Sequence, residues 1–104
     1  MAFRGTEYAV TGTATKLTTA LGITDPARTH VRQVILRNHP SAAQDAFFGA
    51  SNVTTTANRA GILRATDAYP TILGGGDRHP LSTEEIFLIG TVGASNIIFI
   101  TIVD

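Results

Sequence analysis

The sequence predicts an all-β protein: an antiparallel β-sandwich of about seven or eight short strands, with a jelly roll as one arrangement open to it. Three observations carry this. Threonine is abundant and strong helix formers are sparse, the composition of a strand-rich chain. Short runs of β-branched and aromatic residues recur, and Gly, Pro and Asn punctuate them roughly every 8–12 residues.

The elements follow in order. Residues 8–11 (YAVT) and 15–18 (TKLT) read as short strands with Gly12 between them, and residues 21–26 (LGITDP) turn the chain. Residues 31–37 (VRQVILR) form the first strong strand. It stops at Asn38-His39-Pro40-Ser41, because proline lacks the N–H a ladder needs. Residues 46–49 (AFFG) are a short aromatic strand, 51–58 (SNVTTTAN) a polar loop, 61–63 (GIL) a brief strand and 69–73 (YPTIL) another, with Pro70 marking an edge or a start. Gly74-Gly75-Gly76-Asp77 is a turn. Residues 80–85 (PLSTEE) hold Ser82 and Glu85 at capping-box spacing and predict one turn of helix. Residues 86–91 (IFLIGT) and 97–103 (IIFITIV) are strands, joined through 92–96 and expected to pair as an antiparallel hairpin.

At 104 residues the chain predicts one domain, with residues 1–12 a candidate N-terminal arm. Eight basic residues balance eight acidic ones, so the basic excess of a nucleic-acid binder is missing and no nucleic-acid partner is expected. There is no cysteine, which removes disulfides, thiolate metal sites and a cysteine nucleophile. No secretory leader and no stretch approaching the ~18 apolar residues of a membrane helix is visible, so no membrane partner is expected.

The last two strands lack a wet face. One side of the final strand carries Ile98, Ile100 and Ile102, the other Ile97, Phe99, Thr101 and Val103; Phe87 and Ile89 likewise oppose Ile86 and Leu88. If Phe87, Ile89, Ile97 and Phe99 face outward together, at roughly 1.5–3 kcal/mol each they forgo about 6–12 kcal/mol when left wet. That rivals the ~5–15 kcal/mol stability of a whole domain. These four are therefore the candidate subunit interface, covered by identical copies in a homo-oligomer. A loop or the N-terminal arm lying across a central hairpin is one alternative, and a different protein covering the face is the other.

Motifs for catalysis are wanting. Asp77-Arg78-His79 has no nucleophile tied to it, and Ser41, Ser51, Ser82 and Ser95 lie outside any G-x-S-x-G elbow. His30, His39 and His79 lack ligand spacing, and Asp25, Asp45, Asp67 and Asp77 lack the calcium-loop pattern. Gly74-Gly75-Gly76 is not followed by the Lys-Ser/Thr of a phosphate loop. No enzyme, metal or cofactor is expected. Arginine outnumbers the single lysine, Lys16, and Arg28, Arg32, Arg37, Arg59, Arg64 and Arg78 are either solvated or interface cations. Of Phe47 and Phe48 one ring must face out. Phe48, Tyr69 and Arg37 are the candidate exposed anchors.

Residues 31–38 (VRQVILRN), 46–49 (AFFG) with 51–54 (SNVT), then 86–90 (IFLIG) and the final aliphatic strand, resemble small β-sandwich virion proteins of tailed bacteriophages, over roughly residues 28–103. The resemblance implies a capsid decoration or cement protein, or a head-fibre or tail module, acting as a trimer on the major capsid protein or another virion protein. Its location would be the capsid surface after assembly in the host cytoplasm. A tail or baseplate module that stacks a host-surface carbohydrate on Phe48 or Tyr69 is the rival reading. The 74–79 turn departs from the family pattern.

Overall fold

A computed structural model describes residues 3–40, 42, 44–65, 69–74, 80–91 and 96–104. The expected turns at 75–77 and 92–95, Ser41, Asp67 and the Asp77-Arg78-His79 triplet lie outside the described residues. The strands are β1 (Phe3–Val10), β2 (Thr15–Lys16), β3 (His30–Val31), β4 (Gln33–Asn38), β5 (Ala46–Gly49), β6 (Arg59–Leu63), β7 (Thr71–Leu73), β8 (Leu81–Ser82), β9 (Phe87–Gly90) and β10 (Asn96–Val103). One helical turn, α1 (Leu17–Ala20), and a 3-10 turn (Pro26–Arg28) interrupt them.

Two expected elements change type. The segment 15–18 is strand for two residues only and then coils into α1. Leu17 donates its N–H to the Ile86 carbonyl at 2.7 Å and Thr18 to that of Thr83 at 3.2 Å, so ladder bonds are replaced by contacts that sink the Leu17 side chain into the core. Gly22, at φ +69°, ends the turn in the left-handed region glycine favours. Conversely, 80–85 is not helical: Leu81–Ser82 pairs with β3. The Ser82 hydroxyl accepts from the Glu84 N–H at 3.2 Å, closing a turn in place of a helix cap.

The strands build two four-stranded antiparallel sheets, ordered β1-β10-β4-β7 (the first sheet) and β2-β9-β5-β6 (the second), with β3-β8 as a small third ladder. Numbered as eight principal strands, setting β3 and β8 aside, the orders are 1-8-3-6 and 2-7-4-5. That is a jelly roll, one long hairpin rolled up so that β1 meets β10, β2 meets β9, β4 meets β7 and β5 meets β6. The fold is thus the all-β antiparallel sandwich expected. Residues 3–10 are no arm: β1 pairs with β10 from Phe3↔Val103 to Val10↔Asn96.

The expected hairpin of the last two strands does not form. β9 pairs with β2 and β5, β10 with β1 and β4, so the chain crosses from one sheet to the other between them. The reason lies in their inner faces. Leu88 of β9 and Ile98, Ile100 and Ile102 of β10 are all buried in one cluster with Val34, Leu36, Ala46, Phe48 and Leu63, and apolar faces from two sheets bury more against each other than two neighbours in one sheet. Phe48 is opposite Gly61 in the ladder. A Cβ on Gly61 would run into that ring, so the glycine makes room for the phenyl group. Asn38 closes one end of the core, its amide donating to the Gln44 and Leu63 carbonyls at 3.0 Å each.

Candidate functional site

Each sheet has an outer face, and the two are treated differently. On the second sheet Phe47, Ile89 and Val53 form a separate buried cluster, with Ala14, Ile62 and Phe87 packed around it. Val53 comes from the polar 51–58 loop, which folds over the sheet. The loop is held by its own bonds: Val53 N–H to the Ala50 carbonyl at 3.0 Å, the Thr54 hydroxyl accepting from Ala57 N–H at 2.9 Å, and the Asn58 amide donating to the Asn52 carbonyl at 3.2 Å. The Arg59 guanidinium lies 4.9 Å from the Phe47 ring centre, a cation–π contact that covers it further.

The first sheet carries no such cover among its described residues. The ladder registers set its outward side chains in rows across the strands: Glu7, Phe99 and Arg37 in one row, Gly5, Thr101, Ile35 and Ile72 in the next, and Phe3, Val103 and Gln33 in a third. Beyond the first of these rows lie Ala9 and Ile97. Phe3 is 69% exposed, Ile72 59% and Ile97 40%. Phe99 is half-buried and has the His39 ring against it, centroids 5.2 Å apart. Gly5 leaves a shallow groove of about 300 Å³ between Glu7, Phe99 and Thr101; nothing lies within 4 Å of where its Cβ would be.

The four residues expected to make one interface are therefore split. Phe87 and Ile89 sit on the second sheet's outer face, Ile89 fully under the Val53 loop. Ile97 and Phe99 sit on the first sheet's outer face, across the ~10 Å thickness of the sandwich. Phe48 is 7% exposed and belongs to the core, so it is no surface anchor; the outward ring of the pair is Phe47, and its own loop covers it. Arg37 is exposed on the first sheet. Tyr69 is 79% exposed and lines a cleft of about 170 Å³ with Ile62, Arg64, Pro70 and Thr71. His30 and His39 flank β4 at opposite ends, a strand length apart. Phe3, Glu7 and Ile72 join this face without being among the candidates the sequence singles out. The signal for the first two is the alternation Phe3-Gly5-Glu7-Ala9 within β1.

One ion pair ties the edge of this sheet. Arg4 grips Asp104 with a two-pronged contact, Nε to Oδ2 at 2.9 Å and Nη2 to Oδ1 at 2.7 Å. The hydrogen bonds from Arg4 hold the Asp104 carboxyl below its ordinary value against an opposing effect of burial, with the charges of Arg4 and Arg28 adding to the lowering. No protein family, curated protein or solved structure compared with the chain gives a match.

Proposed function

We propose that this is a structural protein that works by burying surface, joining a larger shell as a homo-oligomer and stabilising it. The observation that supports this is the open apolar face of the first sheet, on which Phe3, Ile72 and Ile97 share one side of a jelly roll whose opposite outer face is sealed by its own loop. Covering what remains wet of these side chains is worth on the order of 1–2 kcal/mol each. A subunit that binds only the assembled shell stabilises it by mass action, and many copies multiply the effect. The bacteriophage resemblance supplies the setting, decoration of a capsid, and jelly rolls recur in viral capsid and lectin domains, an analogy of fold alone.

The test is co-sedimentation with tailed-phage heads stripped of their decoration layer. The chain is expected to travel with the heads, and an Ile72→Ser/Ile97→Ser variant to stay behind. A wild-type chain left at the top of the gradient rejects the capsid setting.

A second reading rests on Tyr69. Its exposed ring beside Arg64 suits stacking against a sugar of a host surface. A glycan array on which wild type and Tyr69→Ala give the same blank signal rejects it.

A further inference from the structure

We infer that the occupant of the first sheet's open face is a second copy of this chain, packed face to face about a two-fold axis that lies in the interface and runs along β10. The inference rests on the surface-burying role proposed above and names the partner and geometry for it.

The argument begins with charge. Along one row of the sheet, Glu7 on β1 and Arg37 on β4 stand on either side of Phe99 on β10. They are two strand spacings apart, about 10 Å. Both are exposed. A rotation about an axis parallel to β10 exchanges the columns on its two sides and keeps the rows. Glu7 then falls over the partner's Arg37, Arg37 over the partner's Glu7, and Phe99 over the partner's Phe99. Each copy thus supplies both halves of two ion pairs around a central aromatic contact. This is the self-complementarity an isologous interface requires. An axis across the strands would set Glu7 on the partner's Glu7 and Arg37 on the partner's Arg37, which like-charge repulsion disfavours.

Shape agrees with charge. In the adjacent row the same rotation carries Ile35 of β4 over the partner's Gly5, and Gly5 floors the groove of about 300 Å³. A half-buried isoleucine side chain therefore enters this groove on the opposing face, twice per dimer. A sheet face meets its copy this way only in pairs, so the geometry selects a dimer where the resemblance implied a trimer.

Area sets the strength. The axis on β10 overlays β1, β10 and β4 and leaves β7 outside the overlap, so three strands across and seven residues along give roughly 14 Å by 23 Å, or about 650 Å² of flat area from two copies before side-chain relief is counted. Stable interfaces bury about 1,200–2,000 Å². The pair falls below that range, among weak and transient contacts, so association in the upper micromolar range is expected.

The test is sedimentation equilibrium on the whole chain from about 1 to 200 µM, the range in which an interface of this size titrates. Wild type is expected to shift reversibly from 11.0 kDa to twice that mass, and more weakly at high salt. Glu7→Arg and Arg37→Glu are each expected to weaken association at least about tenfold. An equimolar mixture of the two variants is expected to restore it, because every facing pair is then attractive. Circular dichroism checks that each variant is folded, and the salt dependence of wild type remains as a readout should one not be. A wild-type chain that stays at 11.0 kDa throughout overturns the inference. So does a mixture no better than its components, or a trimer mass. Head binding separates the two readings. Variants that bind stripped heads as monomers would leave the assembly role standing without the two-fold pair. A salt-sensitive dimer that ignores heads would leave the pair without the capsid.

Discussion

The two outer faces of this jelly roll begin from similar sequence and end in different states. Phe87 and Ile89 on one strand, Ile97 and Phe99 on another, look alike as alternating apolar positions. On the second sheet the chain supplies its own lid, a Thr-rich loop with one apolar side chain, Val53, at the point of contact. On the first sheet Phe3, Ile72 and Ile97 stay in water. The lesson is that an apolar strand face does not by itself announce a partner. What decides is whether a nearby loop places a side chain over it, and a single valine among polar residues is enough.

The sharpest way to break this contrast is to put a charge on each face. Ile89→Asp buries a carboxylate under the loop and should cost about 3–5 kcal/mol, whereas Ile97→Asp should cost under about 1 kcal/mol, because its side chain already meets solvent. Urea unfolding at low protein concentration reads both, and similar costs would erase the distinction. A milder probe removes the lid's contact. Val53→Ala should cost about 1–2 kcal/mol and raise binding of an apolar dye, since it uncovers Phe47 and Ile89. On the open face Ile72→Ser with Ile97→Ser should shift the unfolding midpoint by less than the equivalent of about 1 kcal/mol while weakening self-association through Ile97, which lies on β10 itself.

The smallest effect concerns the edge of the open sheet. The Asp104 carboxyl is held low by Arg4, so its folded value lies beneath the ~3.9 of an unfolded aspartate. The pair's contribution is complete above that unfolded value and is lost as pH falls through the folded one. Both side chains are about a third exposed, which limits it to roughly 0.5 kcal/mol. Arg4→Ala should therefore lower stability slightly at pH 7 and not at all near pH 2. A loss independent of pH would mean that the arginine acts through packing.

Much of the strand pattern is legible from local chemistry. Residues 46–49 appear as strand because aromatic residues end at a glycine, and β4 ends at Asn38 because Pro40 cannot extend a ladder. Partnership is less legible. The 86–91 and 97–103 segments carry a hairpin's signature, yet pair elsewhere, because ladder choice is set by which inner faces meet across the core, and those are distant in sequence. The helix at 17–20 is invisible for the same reason: its threonines favour strand, and the contacts that coil it come from Thr83 and Ile86. Phe48 reads as a surface anchor from sequence yet lies in the core, because nothing local tells which of two adjacent rings faces Gly61. The open face was half legible. Ile97 and Phe99 were found from alternation, whereas Phe3, Glu7 and Ile72 join them only through register.

The nested pairing of the roll also implies an order in time. The ladder joining Ala46 to Leu63 closes the shortest loop, the one joining Val34 to Leu73 encloses it, then Thr15 with Leu88, and last Phe3 with Val103. Each closure brings the next pair of strands nearer, which lowers the entropy that the longer loop must lose. The expected sequence of events runs from the inside outward, and pulse-labelled hydrogen exchange would show β5 and β6 protected before β1. Glu7 travels on β1, the last strand to arrive. A chain caught before that step shows a raw edge on β10 and no acidic column for a partner's arginine, so the proposed pairing of copies would be a checkpoint that only the finished fold passes.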